Sequence, residues 1–317
     1  ARIEEFGRTT IELIDDTTIE ESSELHFAEG LAHMSVVHQG TNQLARYPFH
    51  AHHSSIESYF QGSVILNSPR NGCVPHNSRM HVTDNIIIGA AGSGVFLEGA
   101  VETGPVEGNF FVGTGKGTRG GDDGRFSTQA GEDMGHGGFG VWARGVYSKI
   151  QNNHAEGHFG RAPFAYFVHP SFVEHIRVPD VPGTPDFLVG KTRQEVAHAF
   201  AHDFDPPTSL TIQTFGAFVN NTARGTWGIG LDVSYFGSTV GVPEGNLIEN
   251  FELEALAYSG SGMHTTHSST FTLRGGSMRG AVEGNAIVGI FCNNGGLEIF
   301  YNESDIINVA LIRGGNC

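Results

Sequence analysis

Between about Leu31 and Gly113 the chain repeats itself: apolar runs of three or four residues return at a nearly fixed interval, each closed by Asn, Gly or Ser. Val64-Ile65-Leu66-Asn67 comes back as Ile86-Ile87-Ile88-Gly89, and Asn71-Gly72-Cys73-Val74-Pro75-His76 as Ser93-Gly94-Val95-Phe96-Leu97-Glu98, both at a spacing of 22 (86 − 64 and 93 − 71). Asn85-Ile86 then comes back as Asn109-Phe110 at a spacing of 24 (109 − 85). Units this short cannot bury an apolar face alone, so each must stack on the next. Two or three short strands per period, with Asn and Gly corners, suit one coil of a parallel β-helix. Leucine-rich repeats share the period, but their leucine pattern is missing here.

The same strand returns further on as Gly140-Val141-Trp142-Ala143-Arg144 and as Gly228-Ile229-Gly230-Leu231-Asp232. Two insertions separate these copies, at about 113–138 and 170–207, and insertions in a solenoid usually collect on one binding face. The first is glycine-rich, and its Lys116 is followed by Gly117 where a phosphate loop needs Ser or Thr. The second carries the one predicted helix, 193–204, opened by a capping box of Thr192 and Glu195. His198 and His202 lie one turn apart on it, without the glutamate of a metalloprotease motif. Strand grammar resumes after Gly245 and runs to Cys317 without a cap, as expected of a piece of something longer. The expectation is therefore an all-β chain forming one parallel β-helix domain over 1–317, with two loop insertions and one short helix.

Composition narrows the partners. A net charge of −16 with only 18 Lys and Arg disfavours nucleic acid, whose phosphates need clustered cations. No apolar window is long enough for a transmembrane helix, and Ala1-Arg2-Ile3-Glu4-Glu5 lacks the pattern of a signal peptide, so an export signal would be removed or upstream. Cys73, Cys292 and Cys317 allow at most one internal disulfide, for which Cys292 with Cys317 is the expected pair.

Chemistry concentrates in Arg46-Tyr47-Pro48-Phe49-His50-Ala51-His52-His53. On a strand His50 and His52 share one face, with Cα atoms roughly 7 Å apart, and neutral imidazoles at that spacing can close on one transition metal. Aligning equivalent strands puts His50, His76, Glu98, Arg144 and Asp232 in one outward column, with Phe49, Pro75, Leu97, Ala143 and Leu231 facing inward. Coils stack about 4.8 Å apart, so His50, His52, His76 and Glu98 are candidate ligands for one ion. His33, His38 and His53 are reserves. Imidazoles with one carboxylate suit zinc, copper or iron. Glu98 and His76 are candidate acid-base groups and Arg144 a substrate contact; the same residues also suit a structural ladder between coils. A second column holds Pro48, Val74, Phe96 and Trp142, and its aromatic members Phe96 and Trp142 form a candidate docking strip for sugar rings unless an insertion packs over it.

At these residues the chain resembles the cell-migration-inducing and transmembrane hyaluronidases and the bacterial β-helix proteins that often carry a G8 domain. Tyr47-Pro48-Phe49-His50-Ala51-His52 is similar to the family's Tyr-Pro-(Ile/Leu)-His-Phe-His, and Gly72-Cys73-Val74-Pro75-His76-Asn77 to its Cys-Val-Thr-Val-His-Gly. Gly92-Ser93-Gly94-Val95-Phe96-Leu97-Glu98-Gly99-Ala100 is similar to Gly-His-Cys-Phe-Phe-Thr-Glu-Asp-Gly, with Glu98 kept and Gly99 in place of the Asp. The resemblance implies a right-handed parallel β-helix, an extracellular or cell-surface setting, and hydrolase or lyase action on hyaluronan or a related polysaccharide. A non-catalytic metal-binding or carbohydrate-binding surface protein is the alternative, and the oligomeric state is left open.

Overall fold

The computed structural model describes residues 1–4, 18–22, 33–38, 47–54, 56–68, 71–90, 92–98, 102–114, 139–143, 148–158, 162–167, 186, 189–191, 218–226, 230–234, 247–255, 261–266, 270–280, 288–293, 298–300 and 311–314. Within them the chain is almost entirely parallel β-structure, arranged as three sheets of eight, nine and eight strands. Successive strands visit the sheets in rotation: Phe49–His52 belongs to the nine-stranded sheet, Ser58–Gln61 to one eight-stranded sheet and Val64–Leu66 to the other. Cys73–His76 then returns to the nine-stranded sheet beside Phe49–His52. Arg2–Glu4 pairs with Val64–Leu66, while Thr18–Ser22 and His33–His38 form a separate antiparallel pair. The predicted helix, His198, His202 and Cys317 lie outside the described residues, as does most of both insertions.

Alternation along the strands builds the core. In Ile86–Ile88 the middle residue, Ile87, is fully buried while its neighbours are 40% and 36% exposed. Ile65, Ile87, Phe111, Ala155, Ala223 and Leu253 occupy that middle position on successive strands, and all belong to one cluster shared with the other two sheets. Burial of such side chains stabilises by about 1.5–3 kcal/mol each for the larger aliphatics and Phe.

Corners are set by residues that tolerate a left-handed backbone. Asp84, Asn152, Asn220 and Asn250 all have φ between 49° and 57° at the corner that follows one eight-stranded sheet. The next residue inward forms a ladder: Asn85, Asn109, Asn153 and Asn221, buried at 1% exposure or less, each with its Oδ1 accepting the backbone N–H of the ladder residue before it, Ser63 for the first. Their sequence separations are 24, 44 and 68 residues. The stack therefore keeps step across both insertions.

Gly72, Gly94 and Gly140 form a second column, just before the strands of the nine-stranded sheet. A Cβ on Gly94 would sit 2.5 Å from Phe111 Cδ1 and 2.8 Å from the Gly140 carbonyl. Backbone must shift to admit it. Gly94→Ala is expected to destabilise by about 1–3 kcal/mol, the usual range for overpacking, as a lowered urea midpoint at unchanged m-value; a midpoint equal to wild type would show that the column has slack.

Candidate metal centre

Register decides which histidines meet. Phe49 pairs with Cys73, so His50 stands beside Val74 and His52 beside His76. Val95 pairs with Cys73, which carries Glu98 to the His76 position on the following strand. The expected column therefore needs two corrections. His52, rather than His50, aligns with His76 and Glu98. Asp232 pairs with Ala165, which pairs with Trp142, so Asp232 belongs with His50, Val74 and Phe96 rather than with Glu98, and His50 takes the place expected for Pro48. Both errors are shifts of two residues, and a shift of two preserves which face a side chain takes. Arg144 lies outside the described residues.

The outward histidines still converge, diagonally across two strands. His50, His52 and His76 each offer a ring nitrogen, and these atoms lie within 4.8 Å of one another. Three imidazoles so placed can hold a metal ion. Bonds of 2.0–2.1 Å in a tetrahedral shell put ligand atoms roughly 3.3 Å apart, so closure needs a contraction that side-chain rotation supplies, most readily at exposed His52. Glu98 stands outside this group, with its Oε2 3.6 Å from His76 Nδ1. At that distance its charge acts on the His76 ring without a hydrogen bond.

A fourth imidazole, His53, completes the cluster. Its ring stacks on His52 at 4.0 Å and meets His76 edge-on at 4.9 Å. Its backbone is left-handed, φ 55°, as is that of Asn77 one strand on, φ 47°, and Asn77 Nδ2 lies 3.3 Å from His53 Nε2. Both residues turn the same corner. Sequence offered His53 only as a reserve, because a strand-based alternation has no place for a corner residue.

Supports behind the histidines were not anticipated either. Ser78 Oγ donates toward the carbonyls of Ala51 and His76, and accepts from the Ser54 N–H, tying the ends of the two histidine strands together. Buried Glu102 accepts the Asn77 N–H at 3.0 Å. Both act through backbone, which leaves no side-chain pattern to read.

Chemically, the centre is a half-open set of nitrogen donors with one carboxylate at its edge. No known family model matches this chain, and no curated protein matches it. The nitrogen donors alone speak for a transition metal over calcium or magnesium, which take oxygen ligands.

The proposed sugar strip points away from the main core but is not open. Phe96 and Trp142 stack at 4.7 Å, each 1% exposed, in a second apolar cluster with Tyr47, Val74, Phe139, Ala162 and Ala165. Rings so covered leave no face for a sugar in this conformation. The cluster meets the histidines through Tyr47, whose ring lies edge-on to His50 at 5.3 Å.

Cys73 faces the core fully buried as a free thiol, and burial pushes its pKa far up. It stays protonated and out of reach. Native protein is expected to spare Cys73 during labelling with a thiol reagent at pH 8, and denatured protein to modify it fully, read by peptide mass; fast native labelling would show that this strand opens.

Proposed function

We propose that the chain is a right-handed parallel β-helix with a transition-metal centre at His50, His52 and His76, acting on a polysaccharide as a hydrolase or lyase at the cell surface or outside the cell. The observation that carries the metal centre is the convergence of the three ring nitrogens within 4.8 Å. Three parallel sheets visited in rotation support the β-helix. What supports the glycan reading is the resemblance to the hyaluronidase-like family, whose three motifs fall here on the adjacent strands Phe49–His52, Cys73–His76 and Val95–Leu97.

A zinc, copper or iron ion held by these imidazoles supplies Lewis acidity. Glu98, 17% exposed in its side chain and beside His76, is placed to take or return a proton at the edge of the centre. Exposed His52 marks the side from which a chain-like substrate reaches it.

The test is metal analysis of the purified and reconstituted protein, followed by a glycan activity screen with the metal found. About one equivalent of metal, with activity lost in His76→Ala, is the expected result. No metal after reconstitution overturns the centre. A second reading is favoured by the ligands' coming from two adjacent strands only: the ion clamps the first coils together without catalysis. It predicts a chelator-induced fall in melting temperature and no cleavage of any glycan.

A further inference from the structure

A second polar cluster lies on the outer face of a different sheet, the one containing Ser58–Gln61, Met80–Thr83 and Val106–Glu107. It forms an open trough of about 470 Å³, within the usual range of about 300–1,000 Å³ for small-ligand sites. At one end Tyr59 is 61% exposed, a large ring left in water beside hydrogen-bonding groups. It is not floppy: its ring lies 4.7 Å from that of His81, and His81 Nε2 lies 2.8 Å from Glu57 Oε1. Glu57 is in turn held by Arg79 at 3.2 Å.

Along the trough stand two amide–carboxylate pairs. Gln61 Nε2 donates to Asp84 Oδ2 at 3.1 Å, and Asn152 Nδ2 donates to Glu107 Oε1 at 2.9 Å. Each pair sets a planar donor beside a planar acceptor, with a second amide hydrogen and a second carboxylate oxygen still to be satisfied by solvent or ligand. Two neighbouring hydroxyls meet that demand together, one donating to the carboxylate and the other accepting from the amide. The cluster crosses four adjacent strands or corners, from Tyr59 to Asn152, roughly 14 Å at about 4.8 Å per strand. That is an elongated site.

We propose that this trough is a binding subsite for a neutral oligosaccharide, with one sugar ring seated on Tyr59 and successive hydroxyl pairs on Gln61–Asp84 and Asn152–Glu107. Charge selects against the alternatives. Glu57, Asp84 and Glu107 repel uronate or sulfate chains, and Arg79 beside them is engaged by Glu57. An ammonium group satisfies a carboxylate but has no lone pair with which to accept from the amide beside it. The site requires neither the histidine centre nor its metal.

Affinity electrophoresis tests it, with the whole chain run through gels containing a mixed-linkage β-glucan, a galactomannan or an arabinan, and gels containing hyaluronan or chitosan as charged arms. The expected result is retardation in at least one neutral gel, weakened at least tenfold by Tyr59→Ala and by Gln61→Ala, and unchanged by EDTA or by the His50→Ala, His76→Ala double variant. Both single variants are expected to keep the wild-type melting temperature, because Tyr59 and Gln61 are exposed. Migration unaffected by every neutral glycan, retardation only by hyaluronan or chitosan, or retardation that survives Tyr59→Ala overturns the proposal. Loss of retardation with EDTA would move binding to the histidine centre and equally overturn it.

Discussion

Asn153→Ala is expected to lower the stability of the chain by about 4 kcal/mol. Its Oδ1 accepts both the backbone N–H and the Nδ2 of Asn109, each at 3.0 Å, and its own Nδ2 donates to the Val106 carbonyl at 2.8 Å and to Asn221 Oδ1 at 3.0 Å. Truncation strands the Asn109 N–H and the Val106 carbonyl where water is excluded, at about 1–3 kcal/mol for each unsatisfied group, while Asn109 Nδ2 keeps the Val82 carbonyl. Asn221 Oδ1 keeps a partner in the Asn153 N–H, which limits the damage. Asn153→Asp is no rescue, because the carboxylate oxygen replacing Nδ2 faces two acceptors. Asn152→Ala, one residue earlier at an exposed corner with φ 57°, is expected to cost only about 1–2 kcal/mol, from a left-handed backbone that alanine tolerates poorly. Urea unfolding of the three variants checks the contrast. A loss below 1 kcal/mol for Asn153→Ala would mean that the ladder is not a continuous buried column.

The second large effect is on metal affinity. Saturating zinc is expected to raise the melting temperature of the wild type, by the linkage that gives about 2.7 kcal/mol at a hundred times the dissociation constant. In the His50→Ala, His76→Ala double variant the affinity falls about 1,000-fold and the shift disappears, because one imidazole of the three remains. Glu98→Gln keeps all three nitrogens and removes only the charge 3.6 Å from His76 Nδ1, so about a tenfold loss is expected, at the low end for an outer partner of a ligating histidine. Isothermal titration with Zn(II) and Cu(II) measures all three proteins. Equal affinities in wild type and double variant would exclude the histidines as ligands.

How far the residues announced this arrangement varies with the kind of signal. Short apolar runs closed by Asn or Gly carry both period and facing, so Val64–Leu66 beside Ile86–Ile88 and Ile86–Ile88 beside Phe110–Val112 follow directly from the text. Register at Phe49–His52 does not, because proline and histidine patterns tolerate a slip of two that leaves every side chain on its own face. Asn85 and Asn109 stand one repeat apart and are visible as a pair; Asn153 and Asn221 follow after separations of 44 and 68 residues, beyond any local comparison. Burial of Phe96 and Trp142 depends on what packs over an outward face, and periodicity is silent on that.

Both long insertions join the stack at the margins of the nine-stranded sheet, one entering before Val141–Ala143 and the other leaving after Phe164–Phe167. On either side of each, the pairing Val95 to Val141 and Phe164 to Leu231 stays in phase. Length added at these two seams is thus mechanically neutral to the stack: the strands on either side keep their partners whatever the connection between them holds.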